Sequence, residues 1–252
     1  MQRFFLLTCL ALLAGCAKPH PLDALEPGER GRVVRILDGD ALVLDTGQSV
    51  RLASIEAPAR PWKDREGEPF QDKSRRMLED MALGREVQLF YAGLTRDKYD
   101  RALAQVRTTD ALGPDLWLNA EMLIRGGARM RVYPDTAGGS ETFPALEAEA
   151  REAKRGLWAM KVWRVSDAAA LPDPFERFQL VSGQVSGMEG SESYGTSCDL
   201  SLDGGALHLD IANSAAAYCQ LAEGTPVLAR GYVKAGRMEV THPLNLQTTG
   251  TP

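Results

Sequence analysis

The sequence predicts a mainly β protein with inserted helices, an α+β chain in two parts. Three observations carry this. Strand and turn signals alternate through residues 33–55; helical periodicity interrupts the strands only at 70–83, 119–125 and 144–158; and beyond residue 174 only strand patterns recur. The 252 residues are 44% hydrophobic and 25% charged, ordinary for folded protein and enough for one large or two modest domains. That composition argues against disorder on a large scale.

Taken in order, VVRIL, ALVLD and SVRLASI are three strands joined by the turns DGD and TGQ, and Pro58 ends the run. A charged loop, ARPWKDREGEP, follows. Met77, Leu78, Met81 and Ala82 share a helical face that begins at Phe70, and Gly84 stops it. EVQLFY alternates as a strand and ALAQV can pair with it across AGLTRDKYDR. Asn119 is placed to cap a short helix, AEMLIR, before Gly126 and Gly127. RMRVY is a further strand. The helix PALEAEAREAKRGLW carries Pro144 in its first turn and Leu146, Ala150, Ala153 and Leu157 on one face. The economical architecture for residues 31–164 is a five-stranded barrel with helices between and after its strands, an OB-fold-like domain. Residues 165–174 read as a linker. Residues 175–248 read as a second small all-β domain, for which an OB-like barrel is one arrangement, with a DGG hairpin turn inside it.

The first sixteen residues, MQRFFLLTCLALLAGC, stand apart: one early arginine, an apolar run too short to span a membrane, then small residues. This is a signal peptide, and its LAGC ending resembles the bacterial lipoprotein signal. That resemblance implies a lipidated Cys16, with Ala17 after it pointing to the outer membrane, facing the periplasm. A soluble secreted protein is the alternative. Residues 17–30, rich in proline and charge, read as a tether. Export leaves Cys198 and Cys219 as the unmodified thiols, a plausible disulfide in an oxidising compartment, and their spacing fits no zinc pattern.

Charge divides the chain. Residues 17–166 carry 24 basic and 24 acidic side chains, whereas residues 167–252 carry 4 and 10. The acidic C-terminal part is expected to repel nucleic acid, and its partner is not legible.

Chemistry concentrates at the ends of the first strands. DGD alone is a turn. Here it closes a hairpin whose neighbouring strand ends at Glu56, so Asp40 and Glu56 can approach one another; paired carboxylates either shift each other's pKa or hold a cation, and oxygen ligands suit Ca²⁺ or Mg²⁺. Arg51 lies on the same strand as Glu56, and Arg101 ends a loop that carries Lys98 and Tyr99. Two guanidinium groups beside a metal would clamp a phosphodiester. Pairing of Arg51 and Glu56 with surface charges fits the spacing as well. His20, His208 and His242 are isolated, and Trp158 and Trp163 read as core or domain-junction residues.

With RILDGDALVL, VRLASIEAP, EPFQDKSRRMLEDMALGREVQL, DKYDRALAQV, LNAEMLIRGGARM and EAEAREAKRGLW in this order, residues 31–163 resemble the staphylococcal nuclease (thermonuclease) family. The resemblance implies an OB-fold that hydrolyses phosphodiester bonds of DNA and RNA with Ca²⁺. Asp40 and Glu56 match metal-binding carboxylates, with the Ala57 carbonyl a further ligand. Arg51 matches the arginine on the attacked phosphate and Arg101 the one that stabilises the transition state. Lys98 and Tyr99 match phosphate contacts, and Tyr133 an aromatic residue beside the base. Two departures stand out. The family's presumed general-base glutamate is replaced by Ala59, and Asp100 replaces the glycine usual in the DKYGR loop. The expectation is an envelope-anchored, metal-dependent nuclease of low or altered activity with a weakly held Ca²⁺, Mg²⁺ being the other candidate ion. Glu66 or Glu68 could substitute as base. The alternative is a catalytically inactive scaffold that binds a polyanion, an envelope polymer or a protein.

Overall fold

The computed structural model describes residues 20–172, 177–191 and 193–250. The expected signal segment and Cys16 lie outside the described residues.

The first half builds β1 (Glu26–Asp38), β2 (Ala41–Leu44), β3 (Ser49–Leu52), β4 (Ile55–Glu56), α1 (Gln71–Ala82), β5 (Glu86–Tyr91), β6 (Ala102–Thr108), α2 (Leu118–Ile124), β7 (Arg129–Met130) and α3 (Phe143–Glu152). Five of these strands close a barrel in the order β1-β2-β3-β6-β5, antiparallel except where β3 runs parallel to β6. Val33, Leu42, Leu44, Val50, Leu52, Leu89 and Val106 fill it, and Leu78, Met122 and Leu123 of the helices join the same core. Apolar side chains on alternate strand positions and on single helix faces make this burial possible.

Local differences from the sequence reading have physical causes. The stretch expected as a tether is folded from residue 20: Leu22 is buried, and β1 begins at Glu26, which pairs with Tyr91 of β5. SVRLASI is not one strand. It breaks at Ser54, whose φ is +64°, and Ile55–Glu56 leaves the barrel to pair with Arg129–Met130. RMRVY is a strand only over Arg129–Met130 for the same reason. Asn119 caps nothing; Trp117 takes the cap position, and the buried Asn119 side chain accepts from Val106 N–H at 2.9 Å and donates to Ala53 O at 2.9 Å. It ties α2 to the end of β3.

The second half builds β8 (Ser166–Asp167), β9 (Arg177–Gly190), β10 (Thr196–Leu202), β11 (Leu207–Ala212), β12 (Pro226–Lys234), β13 (Arg237–Val240) and β14 (Leu246–Thr248). β9 pairs with both β10 and β12, β11 runs parallel to β13, and β13 pairs with β12. The ring β9-β10-β11-β13-β12 therefore repeats the connectivity of the first barrel. Part of the expected linker belongs to it, since β8 pairs parallel with β9. Cys198 and Cys219 are disulfide-bonded with Cα atoms 6.0 Å apart, joining β10 to the helical turn after β11.

The barrels meet through Trp158, Trp163, Phe178, Leu180 and Leu228, which pack as one cluster. A fully buried ion pair, Arg230 Nη1 to Glu147 Oε2 at 2.5 Å, crosses the same junction. Among the described residues no helix is long and apolar enough to cross a membrane.

Candidate functional site

The turn between β1 and β2 sets Asp40. A Cβ at Gly39 would lie 1.8 Å from Ser74 Oγ and 2.8 Å from Ala57 Cβ, so only glycine lets the turn seat under α1. Asp40 is buried there. Its Oδ1 accepts from Arg51 Nη1 at 3.0 Å and its Oδ2 from Ala57 N–H at 2.9 Å, and Arg51 Nη2 lies 3.0 Å from Oδ2. The Asp40 carboxyl is pushed up to about 8, chiefly by burial and further by adjacent Asp38, against the opposing pull of the Arg51 guanidinium. The two strand-end residues Arg51 and Asp40 thus already form a two-pronged pair.

Glu56 meets its cation through strand pairing. It sits opposite Arg129 in the β4–β7 ribbon, and its Oε2 accepts from Arg129 Nη2 at 3.0 Å. Its Oε1 accepts from Arg131. The aromatic rings of the junction hold both guanidinium groups: Arg129 lies 5.0 Å from the Trp163 ring centre and 4.6 Å from that of Phe178, and Arg131 lies 5.0 Å from Phe178 and 5.4 Å from Tyr133. Arg129 Nη1 also donates to Phe178 O at 3.1 Å. The Nε atoms of Arg129 and Arg131 are buried without a hydrogen-bond partner. The ring contacts and the Glu56 carboxylate offset that burial. The sequence reading missed both arginines, although RMRVY puts them two apart on one strand face, a spacing that can grip a single carboxylate.

Arg101 is fixed by its own loop. Asp97 accepts from Arg101 Nε at 2.7 Å, and its other oxygen accepts from the N–H groups of Tyr99 and Arg101. Burial alone would raise the Asp97 carboxyl, but these hydrogen bonds outweigh it and hold it below the ordinary carboxylate range. Asp100 adopts φ +61°, the left-handed conformation in which aspartate is better tolerated than most residues. This backbone requirement explains why glycine suits that position. The neighbouring Tyr99 is 68% exposed, with Lys98 Nζ 5.1 Å from its ring centre.

At Ala59 a carboxylate is present, but it is not residue 59's own. Ala59 N–H donates to Glu68 Oε2 at 2.7 Å, and Glu68 N–H donates to Ala59 O at 2.8 Å. The charged loop therefore folds back on itself and pins Glu68 beside the position where the resemblance expects a base.

Arg51, Lys98, Tyr99, Arg101 and Tyr133 line one cavity of about 370 Å³. Five of the residues expected to handle substrate thus share one surface. The donor set fits a resident divalent ion poorly. Both oxygens of Asp40 and both of Glu56 already accept from N–H donors, and among the described residues no three His, Cys, Asp or Glu side chains gather as a metal site. An ion there would have to displace guanidinium groups.

Residues 49–160 match the family described as staphylococcal nuclease homologue. An Escherichia coli relative named uncharacterized endonuclease is 34% identical over 132 residues, covering 51% of this chain and 76% of the relative. The endonuclease Htp3 of Saprolegnia parasitica is 27% identical, covering 52% of this chain and 70% of that protein. The thermonuclease of Staphylococcus hyicus is 23% identical, covering 51% and 75%.

Proposed function

This chain belongs to the family of staphylococcal nuclease homologues, and from that premise we propose that its first barrel binds the phosphodiester backbone of DNA or RNA and cleaves it slowly. The observation that carries the reading is the shared cavity of Arg51, Lys98, Tyr99, Arg101 and Tyr133. Arg101 and Lys98 bring positive charge to phosphate oxygens, and Tyr99 and Tyr133 offer ring faces to the adjoining bases or sugars. Arg51, shared with Asp40, lies where charge accumulates on the phosphoryl group as water adds to phosphorus and the bond to one ester oxygen breaks. Fixed cations of this kind supply electrostatic stabilisation without reorganising.

Cleavage is slow because residue 59 brings no carboxylate of its own to deprotonate the water; general acid–base catalysis typically contributes about 10²–10⁴ in rate. Ca²⁺ or Mg²⁺ is held weakly, in competition with Arg51, Arg129 and Arg131. The lipid on Cys16 anchors the protein to the outer membrane on its periplasmic side. A second reading, a binding scaffold without catalysis, is favoured by the arginine pair that neutralises Glu56.

Incubation of the full chain with single-stranded DNA and with RNA, in Ca²⁺, Mg²⁺ or EDTA, tests the proposal. Slow cleavage that disappears in Arg51→Ala is expected. Cleavage no faster than a protein-free blank, with intact binding, leaves the scaffold reading standing alone.

A further inference from the structure

We propose that the cleft between the two barrels is a binding site for single-stranded nucleic acid, continuous with the first-barrel cavity, and that the second barrel supplies its far wall. The inference rests on the reading of the first barrel as a phosphodiester-binding site and extends it to a length of strand.

Continuity comes first. The cavity of about 370 Å³ that holds Arg51 and Arg101 shares Arg131 and Tyr133 with a second cavity of about 690 Å³. A strand leaving the first cavity past Tyr133 enters the second, whose opposite wall carries Phe178, Tyr232 and Lys234. Tyr133 is 49% exposed and Tyr232 51%, so each barrel offers the cleft a half-open ring face. Such rings stack on any unpaired base, whereas the bases of a duplex are already stacked and shielded.

Charge placement allows the site without driving it. Residues 167–252 carry only four basic side chains against ten acidic ones, yet Arg230, Lys234 and Arg237 all line this cleft. Two of them are structural: Arg230 is buried against Glu147, and Arg237 is paired with Asp199 and Asp210. Lys234 is exposed and has no ion-pair partner among the described residues. Asp210 and Glu239 also line the wall, so stacking supplies more of the affinity than charge does. At this face Lys234 partly offsets the net acidic charge of the second half.

Fluorescence anisotropy of labelled oligonucleotides on the full chain tests the site, with strand integrity checked after each titration. A dithymidylate is short enough for the first cavity, and a dodecathymidylate reaches the cleft. The longer strand should bind more tightly. Tyr232→Ala should weaken it by about 5- to 150-fold, the range for loss of one stacked base. Lys234→Ala should lower the salt slope by about 0.7. Neither variant should alter dithymidylate binding, and Tyr232→Phe should retain the wild-type affinity for the long strand. Oligouridylate of the same length, run in parallel, distinguishes RNA from DNA as the preferred strand. Equal affinity for both lengths, or a long strand indifferent to Tyr232→Ala, overturns the cleft site while the first-barrel reading survives. Failure of both lengths to bind overturns that reading, and the cleft site with it.

Discussion

Glu56 and Arg129 face each other as paired residues of β4 and β7, and their side chains complete the pairing with a 3.0 Å contact between Glu56 Oε2 and Arg129 Nη2. With Arg131 on the other carboxylate oxygen, the charge at the end of this strand is balanced by protein cations. The second barrel takes part, because the Phe178 ring packs on both guanidinium groups.

We predict that Glu56→Ala destabilises the fold by about 3–5 kcal/mol, the range for breaking a largely buried ion pair and stranding its partner. Urea denaturation of wild type and variant measures it. A change below about 1 kcal/mol would mean that the pair behaves like an exposed one.

Calcium binding should be weak for the same reason. A dissociation constant of about 10⁻³ M or weaker is expected by calorimetry, at the limit of loosely held sites. Arg131→Ala should tighten it by freeing Glu56 Oε1 for the ion. Micromolar affinity in the wild type would show that the guanidinium groups yield readily and that the donor set is better than its geometry suggests.

Much of this was legible in the sequence. The apolar run in ALVLD, the alternation in EVQLFY and the turns DGD and DGG mark strands and hairpins through local rules. Arg51, Lys98, Tyr99 and Arg101 could be named because their segments match the family pattern residue by residue. The partners of Glu56 were not legible. They lie more than seventy positions away, and reach it only because Ser54 turns the chain out of the barrel, a φ of +64° that no local signal demanded. Asn119 misled for a related reason: its type suits a helix cap, but the unpaired backbone groups of Ala53 and Val106 claim its side chain.

The junction yields a prediction of its own. Arg230 and Glu147 are both fully buried, and Glu147 also accepts from Met130 N–H at 2.7 Å. Arg230→Met alone leaves the buried Glu147 charge with only the longer 3.5 Å contact to Arg151 Nη1 and should cost about 3–5 kcal/mol. Arg230→Met with Glu147→Gln removes both charges while the glutamine oxygen can still accept from Met130 N–H, so most of that loss should return. Denaturation of the two variants decides the matter, and a double variant no more stable than the single would place the loss in packing instead of charge.

Asp97 carries the pH dependence of the Arg101 loop. Its folded pKa lies below the unfolded value because Arg101 and two backbone N–H groups bind the ionised form. Its stabilisation is therefore fully present above the unfolded carboxylate value, near 3.9, and is lost as pH falls through the folded one. Carboxyl carbon shifts followed by NMR should give an Asp97 midpoint below about 3.9, and Asp97→Asn should raise the KM for oligonucleotide by loosening Arg101. A midpoint at or above that value would mean that the clamp is not formed in solution.

The last prediction concerns Ala59 and Glu68. Two hydrogen bonds, Ala59 N–H to the Glu68 carboxylate and Glu68 N–H to Ala59 O, fix the loop glutamate beside the side-chain position that alanine leaves short. One Glu68 oxygen is held by the peptide, so the other remains available to take a proton from a water. We predict that residual cleavage depends on Glu68, and that Glu68→Gln lowers it while preserving much of the loop through its own backbone hydrogen bond. Ala59→Glu should raise the rate by up to the ~10²–10⁴ typical of general acid–base catalysis. It would also set two carboxylates side by side, raising the pKa of one of them. The combination Ala59→Glu with Glu68→Gln should therefore cleave at least as fast as Ala59→Glu alone, so that loss of Glu68 is harmful in one background and harmless in the other. That non-additivity is the mark of two residues competing for one role. Initial rates on single-stranded DNA, with Arg51→Ala as the inactive reference, measure all four proteins. Equal fractional losses from Glu68→Gln in both backgrounds would assign Glu68 to loop structure alone.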